Sequence, residues 1–591
     1  IVRYMVENSV GRIWIEHLRA VDPSTDEKAT AERFGWKYYL PEAKQEESVN
    51  IKLAEIRTTY KDLKPTDITC IDPCMGSGHI LIAMFDVLMD IYESTGYDKR
   101  EAAFEIVEHN IHGLDIDQRA YQLAYFAVMM KGRGYNRRFL RGRDGKPEPK
   151  VYAIVESNDI NRNHLQFFGT HLSEMERNLA MMQIEGLLDT FKDAKEYGSI
   201  LNVDACEWDI LERFVNDLGT TGQISFESVG SEETQEQLKK LVRVGQNLGQ
   251  KYDAVVTNPP YMGASGMEAK LSDFVKKNYK NTKSDMSTVC MERAISLCSE
   301  NGYWTMINIP VWMFLSSYEK FRMELLFSQT IINMVHPGRG IFGSDFGTTS
   351  FVFSNKKSGK YKGNYYRLFE KQGEVHSIEE REKAFNERKG HYIAQQDTFF
   401  KIPGNPVAYW VSNCFLRVFE EGIPMQSICT FRTGMKTGDN ARFLRFWWEV
   451  NNKKTLYRCR DNAEAVNSGK KWFPYNKGGD FQKWYGNNDY IVNFENDGIE
   501  MFSHVKEEKR HVQNLAKELR YKECITWTLL SSSSTAFRYR PYGSLYDMNG
   551  MCFFPTKENI KQLLAFSNSK VMFEILKITA PTLAFQLGDV E

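Results

Sequence analysis

The sequence predicts an α/β fold: a Rossmann-like core with a helical N-terminal segment before it, a helical insertion within it and a mixed α/β domain after it. Three observations predict this. From about residue 68 to 309, short apolar runs alternate with amphipathic helical stretches, the pattern of a parallel sheet with right-handed crossovers. The turn Asp72-Pro-Cys-Met-Gly-Ser-Gly78 follows the first apolar run and opens a helix. From about residue 360 the alternation stops, and aromatic residues mix with Gly and Lys/Arg, as in 442–448 and 470–485.

Residues 1–50 read as helical, with apolar spacing in Ile13, Ile15, Leu18 and Val21. Strands are expected at 68–71, 111–116, 151–155, 254–257 and 303–309, with helices at 80–91 and 118–131. The stretch from about 160 to 250 is polar and mostly helical, notably at 178–197 and 232–248. It reads as an insertion between the third and fourth strands. The expected divisions are therefore 1–50, a core over 51–360 that includes the insertion, and a second domain over 361–591.

At 591 residues the chain suggests two or three domains. Its 42% hydrophobic and 26% charged content is that of a soluble globular protein. Aromatics at 13% fit either core packing or base stacking. The formal net charge of -1 excludes a globally basic protein, so a nucleic-acid partner needs a local basic face. One candidate is 131–150 with Arg133, Arg137, Arg138, Arg141 and Arg143, which reads equally well as a solvated loop. The ten cysteines form no CxxC pair, which argues against a zinc ribbon or disulfide scaffold and for a reducing cytoplasm. No signal peptide is read, and no apolar run approaches the roughly 20 residues that span a bilayer.

The glycine turn offers close backbone approach and the free N–H groups of a helix start. It is not the dinucleotide GxGxxG fingerprint, because the third position is Leu81. At the end of the second strand stands Gly113-Leu-Asp-Ile-Asp117. A carboxylate there can accept both hydroxyls of a ribose. Asp115 has that placement, whereas Asp117 is expected to cap the next helix. Together these elements read as a nucleoside site built from Asp72, Pro73, Gly76, Gly78, Asp115 and Ile116. A side chain for the base of that nucleoside is expected at Asp159, in Ser157-Asn158-Asp159, with Asp204 as the competing candidate.

The fourth strand runs into Thr257-Asn258-Pro259-Pro260-Tyr261. An exocyclic amine on adenine is a poor nucleophile, because its lone pair is delocalised into the ring. Two acceptors holding its hydrogens favour a pyramidal nitrogen and free that lone pair. The Asn258 side-chain oxygen and the Pro259 carbonyl, held by the prolines, can be those acceptors. Tyr261 offers a flat face for an extruded base. The electrophile implied is a sulfonium methyl, which needs no metal and no covalent intermediate. Methylation at cytosine C5 would need a positioned thiolate; Cys74, inside the turn, is expected to be a packed residue.

Together these residues closely resemble the amino-methyltransferases of DNA in the gamma arrangement, which implies a class I core dependent on S-adenosylmethionine and adenine N6 as the target. The resemblance implies further sites. Tyr39-Leu40-Pro41 is similar to the family's aromatic-Thr-Pro element that closes over the methionine part, giving Tyr39 and Pro41 as cofactor contacts. Phe342, or alternatively Phe346, resembles the Phe that stacks on the flipped base, and Asp285 a further cofactor-pocket position. Stretches 432–440, 474–479 and 483–487 look like the recognition region shared by type IIG restriction-modification enzymes and the BREX phage-defence methyltransferases of the PglX family; residues 1–14 look most like the BREX members.

On this resemblance Arg432, Lys436, Lys477 and Lys483 are expected DNA contacts. Double-stranded DNA and other BREX proteins are the implied partners, and the protein alone is expected to be a monomer. Members of the group are usually longer, so the recognition domain is expected to be incomplete. The alternatives are a type IIG enzyme whose nuclease part lies elsewhere, an RNA or protein-glutamine N-methyltransferase, and a non-enzymatic DNA binder, which the intact tetrapeptide disfavours.

Overall fold

The computed structural model describes residues 1–143, 145–219, 229–341, 347–370, 374–507, 516–529, 536–556, 559–580, 585 and 587–590. The chain forms two compact units, Ile1–Phe399 and Phe400–Glu591.

The first unit is a mixed α/β structure around a nine-stranded sheet. Strands β1 (Cys70–Asp72), β2 (Ile111–Asp115), β3 (Lys150–Ala153), β4 (Tyr252–Thr257) and β5 (Cys298–Asn308) lie parallel in the order β3-β2-β1-β4-β5. All three residues of β1 are buried, as suits a central parallel strand covered on both faces. β6 (Thr330–Arg339) and β7 (Gly347–Ser354) follow, with β7 antiparallel between β5 and β6. The five expected strands thus exist, with ends displaced by a few residues.

The sheet continues beyond residue 360. β8 (Lys362–Arg367) pairs with β6, and β9 (His391–Gln395) closes the edge. The first unit therefore ends at Phe399, past the expected boundary at 360/361. The reason is non-local: Gly363-Asn-Tyr-Tyr366 has the composition of the second domain, but its backbone completes the ladder of β6.

The N-terminal helices Val2–Glu7, Val10–Val21, Glu27–Arg33 and Glu47–Thr58 are part of this unit's core. Tyr4, Val10 and Ile13 share one apolar cluster with Leu81 and Leu88 of the helix His79–Ser94. Of the expected apolar face, Ile13 and Ile15 are fully buried, whereas Val21 at the helix end is exposed. Beneath lies an ion-pair network. Arg12 meets Glu27 at 3.1 Å, Arg57 meets Glu42 at 2.7 Å and also Glu16, and Arg19 meets Glu42 at 3.3 Å. Such charges stay buried because each is paired. Between β3 and β4 lie the helices Glu174–Thr190, Trp208–Asn216 and Ser231–Gly249.

The second unit holds two four-stranded sheets. One has the order β10-β17-β14-β15, with β10 Cys429–Arg432, β14 Cys524–Thr526, β15 Arg538–Arg540 and β17 Cys552–Pro555. The other has the order β11-β13-β12-β16, with β11 Leu444–Phe446, β12 Trp472–Asn476, β13 Tyr490–Asn493 and β16 Leu545–Tyr546. Phe431, Trp527, Phe537 and Phe553 pack in one core; Phe443, Phe473, Tyr475 and Phe494 pack in the other. Much of the aromatic content is therefore core. No helix among the described residues is long and apolar enough to cross a membrane.

Candidate active site

In the first unit β1 has β2 on one side and β4 on the other, so the order of connection reverses there. Ligands of open α/β sheets bind at the carboxyl ends of strands at such a switch point. The ends of β1, β2 and β4 carry Asp72, Asp115 and Asn258.

After Asp72 the chain turns through Gly76 (φ 53°) and Gly78 (φ 86°), left-handed conformations that favour glycine. A Cβ at Gly78 would lie 3.0 Å from the Ala124 backbone, so glycine there also lets the helix Gln118–Tyr135 pack against the turn. The Met75 N–H donates to the Leu114 carbonyl at 3.0 Å. The Gly76 N–H donates to Asp115 Oδ2 at 2.8 Å, and the other Asp115 oxygen accepts from the Asp117 N–H at 2.9 Å. Asp115 therefore braces the turn while keeping lone pairs free, since each carboxylate oxygen accepts more than one hydrogen bond. Ile116 beside it is 46% exposed. Asp117 caps the following helix, accepting from Arg119 N at 2.7 Å.

Asp72 is fully buried. Its Oδ1 accepts from Cys74 N at 3.0 Å and from Thr257 Oγ1 at 2.7 Å, while Oδ2 is buried with no hydrogen-bond partner among the described residues. Burial pushes its pKa up to about 7, against those hydrogen bonds. The Thr257 bond ties the end of β4 to the glycine turn, which brings Asn258 next to it.

Asn258 and Pro260 are exposed and Pro259 is buried. Tyr261 Oη lies 2.8 Å from Asn258 Oδ1 and 3.0 Å from the Ile307 carbonyl of β5, so its single proton is shared between two acceptors. Burial and then Asp285 push this phenol's pKa up, so it stays protonated. The segment after the tetrapeptide is held against residues 284–286. Ala264 N donates to the Ser284 carbonyl at 3.0 Å and Met286 N to the Met262 carbonyl at 2.9 Å. Asp285 caps the helix Met286–Leu297 through Ser287 N at 2.9 Å. The Cys74 thiol meets Cys290, and its pKa is raised first by that hydrogen bond and then by burial; it is a packed group rather than a thiolate.

Part of the surroundings of the glycine turn carries no motif of its own. The insertion returns through the turn Gly198–Ile200. Ser199 Oγ donates to the Pro73 carbonyl, and a Cβ at Gly198 would come within 3.7 Å of Ile116 Cδ1. Arg293 holds this turn through the Ser199 carbonyl at 3.0 Å, Asn202 Oδ1 at 2.9 Å and the Leu248 carbonyl at 2.8 Å. Tyr279 Oη adds a bond to the Ile200 carbonyl at 2.6 Å. The only local signal was an apolar Gly-Ser-Ile-Leu interruption in a polar insertion. Asp159 and Asp204 are both exposed, and no hydrogen bond or ion pair among the described residues ties either to the glycine turn.

Tyr39 and Pro41 are not brought to the glycine turn, which corrects their expected role. Tyr39 Oη donates to Glu27 at 2.5 Å, and the Pro41 carbonyl accepts from Asn364 of β8 at 3.0 Å. Arg12, stacked on the Tyr39 ring, lies within electrostatic reach of the neutral phenols Tyr303 and Tyr361, near the starting ends of β5 and β8. This element packs at the opposite ends of the strands, a placement that its tripeptide does not encode. Phe342 and Phe346 lie outside the described residues.

In the second unit Lys436 and Lys477 line one cleft of about 320 Å³ with Asn440, Asp547 and Asn549. Partial burial lowers the Lys477 pKa. Arg432 is exposed, with Nη1 on the Phe431 carbonyl at 2.7 Å. Lys483 Nζ reaches the Asn568 carbonyl at 3.5 Å. In the basic stretch of the first unit, Arg143 pairs with Glu105 at 2.8 Å and Glu108 at 3.0 Å.

Residues 109–342 match the family model of the Eco57I restriction-modification methylase. The chain is 37% identical over 607 residues to "Adenine-specific methyltransferase PglX" of Lacticaseibacillus casei (strain Zhang), covering 100% of this chain and 48% of that protein. It is 35% identical over 619 residues to "Adenine-specific methyltransferase BrxX" of Escherichia coli O9:H4 (strain HS), again covering 100% and 48%. The chain thus spans about half the length of the curated relatives it matches. Among solved structures, a nuclease-deletion mutant of the Type ISP restriction-modification enzyme LlaGI with a DNA substrate mimic aligns at 12% identity, 91% of this chain, 44% of that chain and TM-score 0.46.

Proposed function

The chain is homologous along its whole length to the adenine-specific methyltransferases PglX and BrxX, and from that kinship we propose that it transfers a methyl group from S-adenosylmethionine to N6 of adenine in double-stranded DNA. We read the first unit as a Rossmann-like class I methyltransferase core and the second as the target-recognition unit. Marking of host DNA within a BREX system, beside other proteins of that system, is part of the same proposal.

One observation carries it: the Thr257 hydroxyl bonded to Asp72, which sets Asn258 and its prolines beside the glycine turn. The strand ends suit the proposed donor. Among the described residues, a Cβ at Gly76 would meet no atom within 4 Å and Asp72 Oδ2 is an unpaired buried acceptor, while Ile116 presents an apolar surface. Asp115 would take the ribose and Ile116 the adenine of that donor, beside Pro73, Gly76 and Gly78. Bound S-adenosylmethionine supplies a methyl group on a positively charged sulfur.

The chain's own groups prepare the nucleophile. Asn258 Oδ1 and the Pro259 carbonyl accept the two hydrogens of the adenine amine, which localises its lone pair. An amide oxygen accepts two hydrogen bonds. The Tyr261 hydroxyl therefore fixes the Asn258 side chain and leaves one site for the amine. The adenine must leave the stack to reach these groups, and the Tyr261 ring, with Phe342 or Phe346, would cover it.

The test is nucleoside analysis of DNA incubated with the purified protein and S-adenosylmethionine. N6-methyladenine is expected from the wild type, with a drop of roughly 100-fold or more for Asn258→Ala, the scale on which removal of a catalytic hydrogen-bonding group acts. Undiminished methylation by the variant refutes the assignment.

A further inference from the structure

In the second unit the chain between β12 and β13 projects three large aromatic side chains into solvent. Phe481 is 55% exposed, Trp484 51% and Tyr485 61%. Scattered single apolar residues are ordinary on a surface, whereas three exposed aromatic residues within five positions of one loop are a candidate binding surface. The backbone of this segment is unusual. Trp484 has φ 74°, an uncommon and costly conformation for a bulky residue, and observed strain of this kind points toward function. It is enforced by two backbone bonds, Trp484 N–H to the Phe537 carbonyl and Tyr539 N–H to the Trp484 carbonyl, both 2.9 Å.

The segment also closes on itself. Asn487 Nδ2 donates to the Asp480 carbonyl at 3.0 Å, and the Asn487 N–H donates to Gln482 Oε1 at 3.1 Å. The aromatic tip is therefore shaped before any partner arrives, which lowers the entropic cost of binding.

Two buried arginines of β15 lie underneath. Arg538 donates to the Gln482 carbonyl at 3.4 Å and Thr528 Oγ1 at 2.9 Å, and its Nε has no partner among the described residues. Arg540 donates to the Asn487 carbonyl at 3.4 Å and to Asn488 Oδ1. Neither guanidinium pairs with a carboxylate among the described residues, although Asp480 and Asp489 flank the base of the loop. Rigid aromatic faces over an excess of positive charge match unstacked bases joined by phosphates. Base–aromatic stacking tolerates any sequence, because every base has a π-face.

We propose that the loop over residues 480–488 is a base-stacking tip: Trp484 and Tyr485, with Phe481, bind DNA bases exposed by local opening of the duplex, and the cations beneath favour the adjoining phosphates. This rests on the DNA-directed reading above and names how the second unit grips its substrate.

The experiment uses the full-length protein and two fluorescein-labelled duplexes, one fully paired and one with a single unpaired adenine. Binding is read by anisotropy, methylation by nucleoside analysis and folding by thermal melting. Trp484→Ala and Tyr485→Ala are expected to weaken binding about tenfold, most for the duplex with the unpaired base, with unchanged melting; Trp484→Phe keeps wild-type affinity within about threefold. If both alanine variants fold and bind both duplexes as the wild type does, the tip is refuted and the methyltransferase reading stands. If the wild type neither binds nor methylates DNA, both fall. A wild-type self-association in sedimentation that Trp484→Ala abolishes, with DNA binding intact, assigns the tip to a second copy and overturns the proposal.

Discussion

Asp72 is the residue on which the carboxyl ends of the first unit's parallel strands turn. It holds the glycine turn through the Cys74 N–H and the tetrapeptide strand through Thr257, and it does so while buried with one oxygen unpaired among the described residues. Removing a carboxylate from water disfavours its charged form, which is why its pKa stands at about 7 against a usual 3.8. Between those values the folded chain binds more protons than the unfolded chain, so this group's contribution to stability falls as pH rises through that window and levels off above it. Asp72→Asn keeps an acceptor for Thr257 and removes the charge. The wild type is expected to lose stability between pH 5 and 7.5, and the variant to lose less by up to a few kcal/mol. Urea unfolding at the two pH values measures this. Equal losses in both proteins would place the ionisation elsewhere.

Among the elements, the returning turn of the insertion makes the least obvious contribution. Gly198–Ile200 lies against Pro73 and Ile116, and Arg293 holds it from the helix Met286–Leu297. Arg293 touches no proposed substrate atom, so its role is positional. Replacement by Met would leave the Ser199 and Leu248 carbonyls without their donor, at about 1–3 kcal/mol each when buried. The expected outcome for Arg293→Met is a KM for S-adenosylmethionine raised roughly tenfold, with kcat at saturating donor within about threefold of wild type, because the acceptors at Asn258 and Pro259 are untouched. A fall in kcat with KM unchanged would contradict it. The Tyr39–Pro41 element carries the opposite lesson. Its tripeptide resembles a cofactor-closing motif, yet Asn8, Glu27 and Asn364 hold it at the far ends of the strands.

At the scale of the whole molecule, a formal net charge of -1 supplies no general attraction to DNA. Affinity must come from local cations, and the cleft that Lys436 and Lys477 line together is one such place. If both contact phosphates, each Lys→Gln change is expected to reduce the slope of log Kd against log salt by about one, through counterion release. Titrations across a range of potassium chloride concentrations read this slope. An unchanged slope would show that the lysines serve solubility. The two units bury separate apolar cores, and the boundary between them is set by strand pairing: β8 and β9 have the composition of the second unit but join the nine-stranded sheet of the first.

The sequence alone determined the pieces on which the proposed chemistry rests: the glycine turn, Asp115 at the end of its strand, and Asn258-Pro-Pro-Tyr261 after β4. Each is legible because its requirement is local. Positive φ calls for glycine, a strand end exposes its last carboxylate, and paired prolines fix a carbonyl within a few residues. Tertiary structure decided what depends on contacts between distant segments. It placed Ser199 on Pro73, put the Tyr261 hydroxyl on the Asn258 oxygen, carried β8 into the sheet and sent Tyr39 to the opposite ends of the strands. The spacing of apolar residues reports which face of an element is buried. It does not report which end of a sheet that element meets, because that choice is made by side chains far away along the chain.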